Sequence, residues 1–159
     1  MNQKITQSDI DKRVTSDLKQ LLEENKFLEP KKINEIITKA EGVNRTTHKG
    51  YFRTAGALFY THYWIWTPNT EAPYAKFNGN AGGLALVNLG AGEGDIYTDD
   101  LEAVIDNTVS FGYLSTLVYF SVYFFDKHSN LLGHFQAGGV GTTLGTGGGT
   151  GKWIRTPPE

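Results

Sequence analysis

"SVYFFDKHSNLLGHF", Ser121 to Phe135, reads as two strands and the turn between them. Valine, tyrosine and phenylalanine suit a pleated, half-buried surface, and the polar run Asp126 to Asn130 interrupts them as a turn does. Successive side chains of a strand point to opposite faces. In the longer run "LVYFSVYFF" (Leu117–Phe125), Val118, Phe120, Val122 and Phe124 therefore share one wholly apolar face, which is expected to line a core. The other face carries Leu117, Tyr119, Ser121, Tyr123 and Phe125.

The same order of features occurs earlier in the chain. "LFYTHYWIW" (Leu58–Trp66) lies over Leu117–Phe125, and each is followed by a polar turn. "KFNGNAGG" matches "HFQAGG", pairing Phe77 with Phe135 and Ala81-Gly82-Gly83 with Ala137-Gly138-Gly139. "NLGAGEGDIY" matches "TLGTGGGTGKWI", with Leu89-Gly90 over Leu144-Gly145. Between the halves lies "YTDDLEAVIDNT" (Tyr97–Thr108). Here Thr98 is the expected N-cap of a short helix, Asp99 and Asp100 complement its dipole, and Leu101, Val104 and Ile105 share a face. The expectation is a mainly β fold: four strands, one short helix, four strands. Eight antiparallel strands remove their exposed edges by closing into a barrel. Glycines within the strands (Gly82, Gly83, Gly90, Gly138, Gly139, Gly145) then permit coiling and close backbone approach.

The closing stretch "GTTLGTGGGTGKW" (Gly141–Trp153) superficially resembles a phosphate loop. The motif G-x-x-x-x-G-K-[ST] fails here, because Thr146 stands where the first glycine belongs and Trp153 where the metal-binding hydroxyl belongs. Pro157 and Pro158 also oppose the helix that such a loop needs.

Residues 1–45 differ in kind from 46–155 and form a separate N-terminal region before the barrel domain. Ile10, Val14, Leu18, Leu21 and Leu22 recur at helical spacing, and Pro30 ends that pattern. A second stripe, Ile33, Ile36, Ile37 and Ala40, runs to a Gly42 C-cap. The expected structure is an amphipathic helical hairpin that docks on its own domain, associates with a second copy, or serves export or partner capture.

The 159 residues suit one domain of ordinary size. With 15 basic and 17 acidic side chains the chain has no charge excess for nucleic acid, and without cysteine it has neither disulfides nor thiolate metal sites. "MNQKITQSDIDKR" lacks the apolar core of a signal peptide, which points to a cytoplasmic location, another export route or a leader already removed.

"GDIYTDDL" (Gly94–Leu101), "YFFDKHSNLLGHFQAGG" (Tyr123–Gly139) and "GTGGGTGKW" (Gly145–Trp153), in that order, resemble the virulence-associated (Vap) proteins of an intracellular actinobacterial pathogen. The resemblance runs from about Tyr51 to Trp153. It implies a closed eight-stranded antiparallel barrel of two four-stranded halves joined by a helix. It also implies a secreted, host-directed protein without a recognised catalytic site. The segment before the barrel departs from the family pattern, in which a signal peptide and a flexible stretch stand where this chain carries the amphipathic hairpin.

Titratable groups are sparse. His62, His134 and Asp95 are the material for a catalytic arrangement, but no spacing selects them, and no cofactor or metal is expected. Asp95, Asp99 and Asp100 could suggest calcium, yet helix capping already uses two of them. The stronger signal is aromatic. If Phe59, Thr61, Tyr63 and Ile65 point inward like their repeat partners, Tyr60, His62, Trp64, Trp66, Tyr119, Tyr123 and Phe125 point outward. Such a patch is the candidate site for binding a host membrane, lipid or protein. The alternatives are a lipocalin-like carrier of a small apolar ligand and a carbohydrate-binding module.

Overall fold

The computed structural model describes residues 47–68, 73–115, 120–138 and 145–156. The expected N-terminal hairpin, together with Leu117, Val118 and Tyr119, lies outside them, as do the side chains of Phe59 and Tyr60.

Among the described residues, six continuous strands and one helix follow in the order β1 (Thr47–Trp66), β2 (Ala75–Tyr97), α1 (Leu101–Asn107), β3 (Ser110–Ser115), β4 (Phe120–Phe125), β5 (Leu131–Ala137) and β6 (Gly145–Arg155). All pairings are antiparallel. The two long strands each serve as two. β1 and β2 pair from Thr47↔Tyr97 to Trp66↔Lys76, with bulges between Gly56 and Tyr60 that break β1 into halves. β2 then parts company with itself: Ala75–Ala81 pairs with β6, whereas Gly94–Tyr97 pairs with β5. The sheet therefore runs β1-β2-β5-β4-β3-β6 and returns to β2. Counted by wall, this is a closed eight-stranded antiparallel barrel with one short helix. Bulges are the usual means of bending a strand around such a corner.

The period-two reading of the interior holds. Phe120, Val122 and Phe124 of β4 are buried, as are Thr61, Tyr63 and Ile65 of β1. Their rings meet Phe52, Phe77, Phe111, Phe135 and Trp153 in one cluster. Tyr63 stacks on Phe120 at 6.0 Å between centroids and lies 5.2 Å from Tyr113. Burial, reinforced by the neighbouring Tyr113, raises the Tyr63 hydroxyl pKa well above the usual phenol range.

Helix α1 plugs one end of this core. Leu101, Val104 and Ile105 are buried in it, and Val104 reaches the place where a Cβ on Gly133 would stand. The N-cap is Asp100, whose carboxylate accepts from the Ala103 N–H at 3.1 Å, rather than Thr98. Thr98 has another task. Its hydroxyl donates to the Leu132 carbonyl at 2.9 Å and accepts from the Asp100 N–H, tying the helix entry to β5. At the far side, Arg155 binds Glu102 and, at 2.9 Å, Asp106, joining the end of β6 to the helix.

Glycine in β6 has a steric reason. Gly147, Gly149 and Gly151 alternate with Thr150 and Lys152 and face inward beside Tyr113, Phe111 and Phe77. A Cβ on Gly151 would overlap the Phe77 ring, and one on Gly149 would strike the carbonyl oxygen of Asn80. The strand can lie between β2 and β3 only because those side chains are missing.

Candidate functional site: an outer aromatic face

His62, Trp64 and Trp66 do point outward, and each is half-buried. Their lateral neighbours come from pairing that the sequence does not display. Trp66 faces Lys76, which faces Ile154; Trp64 faces Asn78, then Lys152; His62 faces Asn80, then Thr150. Lys76, Asn80, Thr150 and Lys152 are exposed, and Ile154 is 58% exposed, the most exposed large apolar side chain among the described residues. The result is a three-stranded wall bearing two indoles, two ammonium groups and one protruding aliphatic chain.

The tryptophans also have structural partners. Tyr51 stacks on Trp66 at 6.0 Å, and the Arg53 guanidinium lies 5.7 Å from the centroid of Trp64. His62 stacks on Trp64 at 4.1 Å. Tyr51 and Arg53 belong to the first half of β1, Trp64 and Trp66 to the second, and no backbone ladder joins those halves among the described residues. Ring stacking and a cation over an indole face bridge the seam instead.

Tyr123 and Phe125 correct the expected patch. They share a sheet face pointing away from the core residues of β4, yet both are buried, as is every residue of β4. Alternation gives the direction of a side chain but not what covers it, and here both faces of the wall are covered. Tyr123 lies 5.8 Å from the imidazole of His134, which stacks on Tyr97 at 5.0 Å. Alongside, the Ser121 hydroxyl donates to Gln136 Oε1 at 2.7 Å, and Gln136 Nε2 lies 3.0 Å from His134 Nδ1. Burial drives the His134 pKa down to about 3, so the imidazole is neutral. Tyr119 lies outside the described residues, and Tyr60 is placed only by its backbone pairing with Gly82.

The catalytic material does not gather. His134 sits on β5 with Gln136, Asp95 pairs one place along opposite Gln136, and His62 lies on the β1–β2–β6 wall. His128 is exposed in the β4–β5 turn. Among the described residues no group of three or more His, Asp or Glu side chains is placed to hold a metal ion. No described helix is long and apolar enough to cross a membrane, a statement that does not extend to β-strands.

Sequence reasoning missed Arg53, Lys76, Lys152 and Ile154, because their relation to the tryptophans exists only across strand pairs. It also missed Gln136, for which alternation alone offers no signal.

Comparison with known proteins matches this architecture. Two solved structures from the intracellular pathogen Rhodococcus equi share it, both with a TM-score of 0.64 and 33% identity. The virulence-associated protein VapB is matched over 70% of this chain and 98% of its own. The virulence-associated protein VapD is matched over 69% and 97%. A search of curated proteins returns no match. The model of the Rhodococcus equi virulence-associated protein family matches residues 2–154, and the chain belongs to that family.

Proposed function

We propose that this is a non-enzymatic, host-directed member of the family that acts by binding an anionic membrane surface through the outer wall of β1, β2 and β6. The observation that carries the reading is the exposed Ile154, in register with Lys76 and Trp66 and next to Lys152 and Trp64. Indoles prefer the boundary between water and hydrocarbon, a protruding aliphatic chain can enter it, and ammonium groups meet lipid phosphates. A lipocalin-like carrier is disfavoured by the aromatic rings that occupy the space a carried ligand would need.

Flotation with vesicles tests the reading. The intact chain is expected to float with vesicles containing anionic lipid and not with purely zwitterionic ones. Lys76→Glu with Lys152→Glu should abolish flotation while leaving the near-UV circular dichroism unchanged, and Ile154→Ser should weaken it. Flotation unaffected by all three changes would exclude this wall. The neighbouring Asn78 and Asn80 beside Trp64 are what a sugar-binding wall would use, so glycan binding retained in the charge-reversed variant would favour that reading instead.

A further inference from the structure

Only one of the chain's ten asparagines, Asn78, is followed by glycine. An Asn-Gly pair is the dipeptide most prone to deamidation, because a residue without Cβ leaves its amide nitrogen free to approach the asparagine side chain. Here the glycine is a requirement of the core. Gly79 faces inward between Tyr63 and Gly151, and a Cβ on it would stand 2.6 Å from the Phe77 ring and 2.7 Å from that of Phe111. Both rings are themselves buried in the central cluster. The packing that fills the barrel therefore fixes a labile pair in the middle of a strand.

Deamidation begins when the Gly79 nitrogen attacks Asn78 Cγ. The N–Cγ bond forms, the Cγ–Nδ2 bond breaks, and the side-chain amide leaves as ammonia with the proton that Gly79 gave up. Water then opens the five-membered imide. Cleavage of the new bond leaves aspartate. Cleavage of the original peptide bond leaves isoaspartate, whose main chain runs through Cβ and Cγ and is one atom longer. The folded barrel obstructs the first step twice. Side chains stand perpendicular to a strand while the peptide nitrogen continues along it, so the ring closes only if the chain rotates out of the sheet. Lys76–Ala81 is also paired on both sides, with β1 and with β6, which holds its amide protons in ladders.

We infer that Asn78-Gly79 is a modification site closed by the fold, and the point at which unfolding of this barrel becomes irreversible. While β2 lies between β1 and β6 the pair persists. When the strands part, isoaspartate forms and its extra main-chain atom falls between Phe77 and Gly79. Those two residues must face inward together, opposite Ile65 and Tyr63 of β1 and opposite Trp153 and Gly151 of β6. An added atom puts one or the other out of register, so β6 cannot settle on β2 again. The aspartate product keeps the register and adds a carboxylate to the outer wall, opposite Lys152. Neither consequence depends on what that wall binds.

Peptide mapping that separates the two aspartyl isomers tests the inference. At neutral pH and body temperature the native chain should keep Asn78. In guanidinium chloride conversion should run at least about tenfold faster, as expected of a reaction confined to the opened state. On dilution from denaturant the refolded yield should fall in step with isoaspartate, which should collect in the fraction that stays unfolded or aggregates. Asn78→Gln, whose longer side chain closes its ring far more slowly, should keep its refolding yield over the same incubation. Equal conversion in folded and unfolded chains would overturn the inference. So would isoaspartate carried into the refolded fraction undiminished, or the same loss of yield in Asn78→Gln. Should that variant refold poorly from the start, the partition of isoaspartate in the natural chain decides alone. A natural chain that recovers no fold after even brief exposure to denaturant loses reversibility elsewhere, which also refutes the inference.

Discussion

Gln136 fixes His134 as a neutral acceptor. Because Gln136 Oε1 accepts from the Ser121 hydroxyl at 2.7 Å, its amide NH₂ faces His134 Nδ1 at 3.0 Å and donates to it. A proton on Nδ1 would set two donors against each other in a site without water access.

The pH dependence of stability follows from that pair. His134 has a folded pKa of about 3, against about 6.5 for an unfolded histidine. Between these values the unfolded chain binds a proton that the folded chain refuses, so the contribution is complete above pH 6.5 and lost as pH falls toward 3. One such proton gives a slope of up to about 1.4 kcal/mol per pH unit. Urea midpoints measured at pH 7 and pH 4 should therefore separate widely in the native chain and much less in His134→Gln.

The glycines of β6 should differ in their tolerance of alanine. At Gly149 the obstacle is the backbone carbonyl of Asn80, which cannot turn aside, whereas at Gly147 it is the ring of Tyr113 at 3.0 Å, which can. Gly149→Ala is expected to cost about 2–3 kcal/mol or more and Gly147→Ala about 1, as overpacking does. Thermal denaturation of the two variants side by side checks the order.

The β4–β5 turn is held by one carboxylate. Asp126 Oδ1 accepts from the N–H groups of His128 at 2.8 Å and Asn130 at 2.9 Å, and Oδ2 accepts from the Asn130 amide. Partial burial opposes its charge, yet these donors prevail and hold its pKa below the usual aspartate value. Asp126→Ala should lower stability by about 1–2 kcal/mol through the lost acceptors. Ser129, with φ of 62°, adopts a left-handed conformation, so Ser129→Gly should raise the melting temperature by a degree or more, worth about 0.5 kcal/mol.

Fold and binding should separate on the aromatic wall. Trp64 lies under Arg53 and against His62, so Trp64→Ser should destabilise the barrel by about 1–2 kcal/mol as well as weaken vesicle binding. Lys152→Glu touches no seam contact and should weaken binding alone. Calorimetry and flotation on the same samples distinguish the two.

The interior of this barrel is legible in the sequence because Thr61, Tyr63, Ile65, Phe120, Val122 and Phe124 alternate with period two and every one of them is buried. What lies outside the wall is not legible by the same rule. Tyr123 and Phe125 obey the alternation and are nonetheless buried, since alternation sets a side chain's direction and not what packs on that face. Thr98 satisfies every compositional preference of an N-cap, but the Leu132 carbonyl claims its hydroxyl and Asp100 takes the place. Half of the proposed binding wall, Trp64 and Trp66, shows in its strand; the other half, Lys76, Lys152 and Ile154, depends on register between strands tens of residues apart.

The position of β6 between β2 and β3 has a consequence for how the chain is made. Until Gly145–Arg155 has been synthesised, Ala75–Ala81 of β2 and the whole of β3 lack the ladder partner on one side. Each is then an open strand edge, the usual starting point for pairing between molecules. The hazard lasts from the synthesis of β2 until β6 is made and inserts. Because the sealing strand is mostly glycine and threonine, it adds little stickiness of its own while it waits to insert.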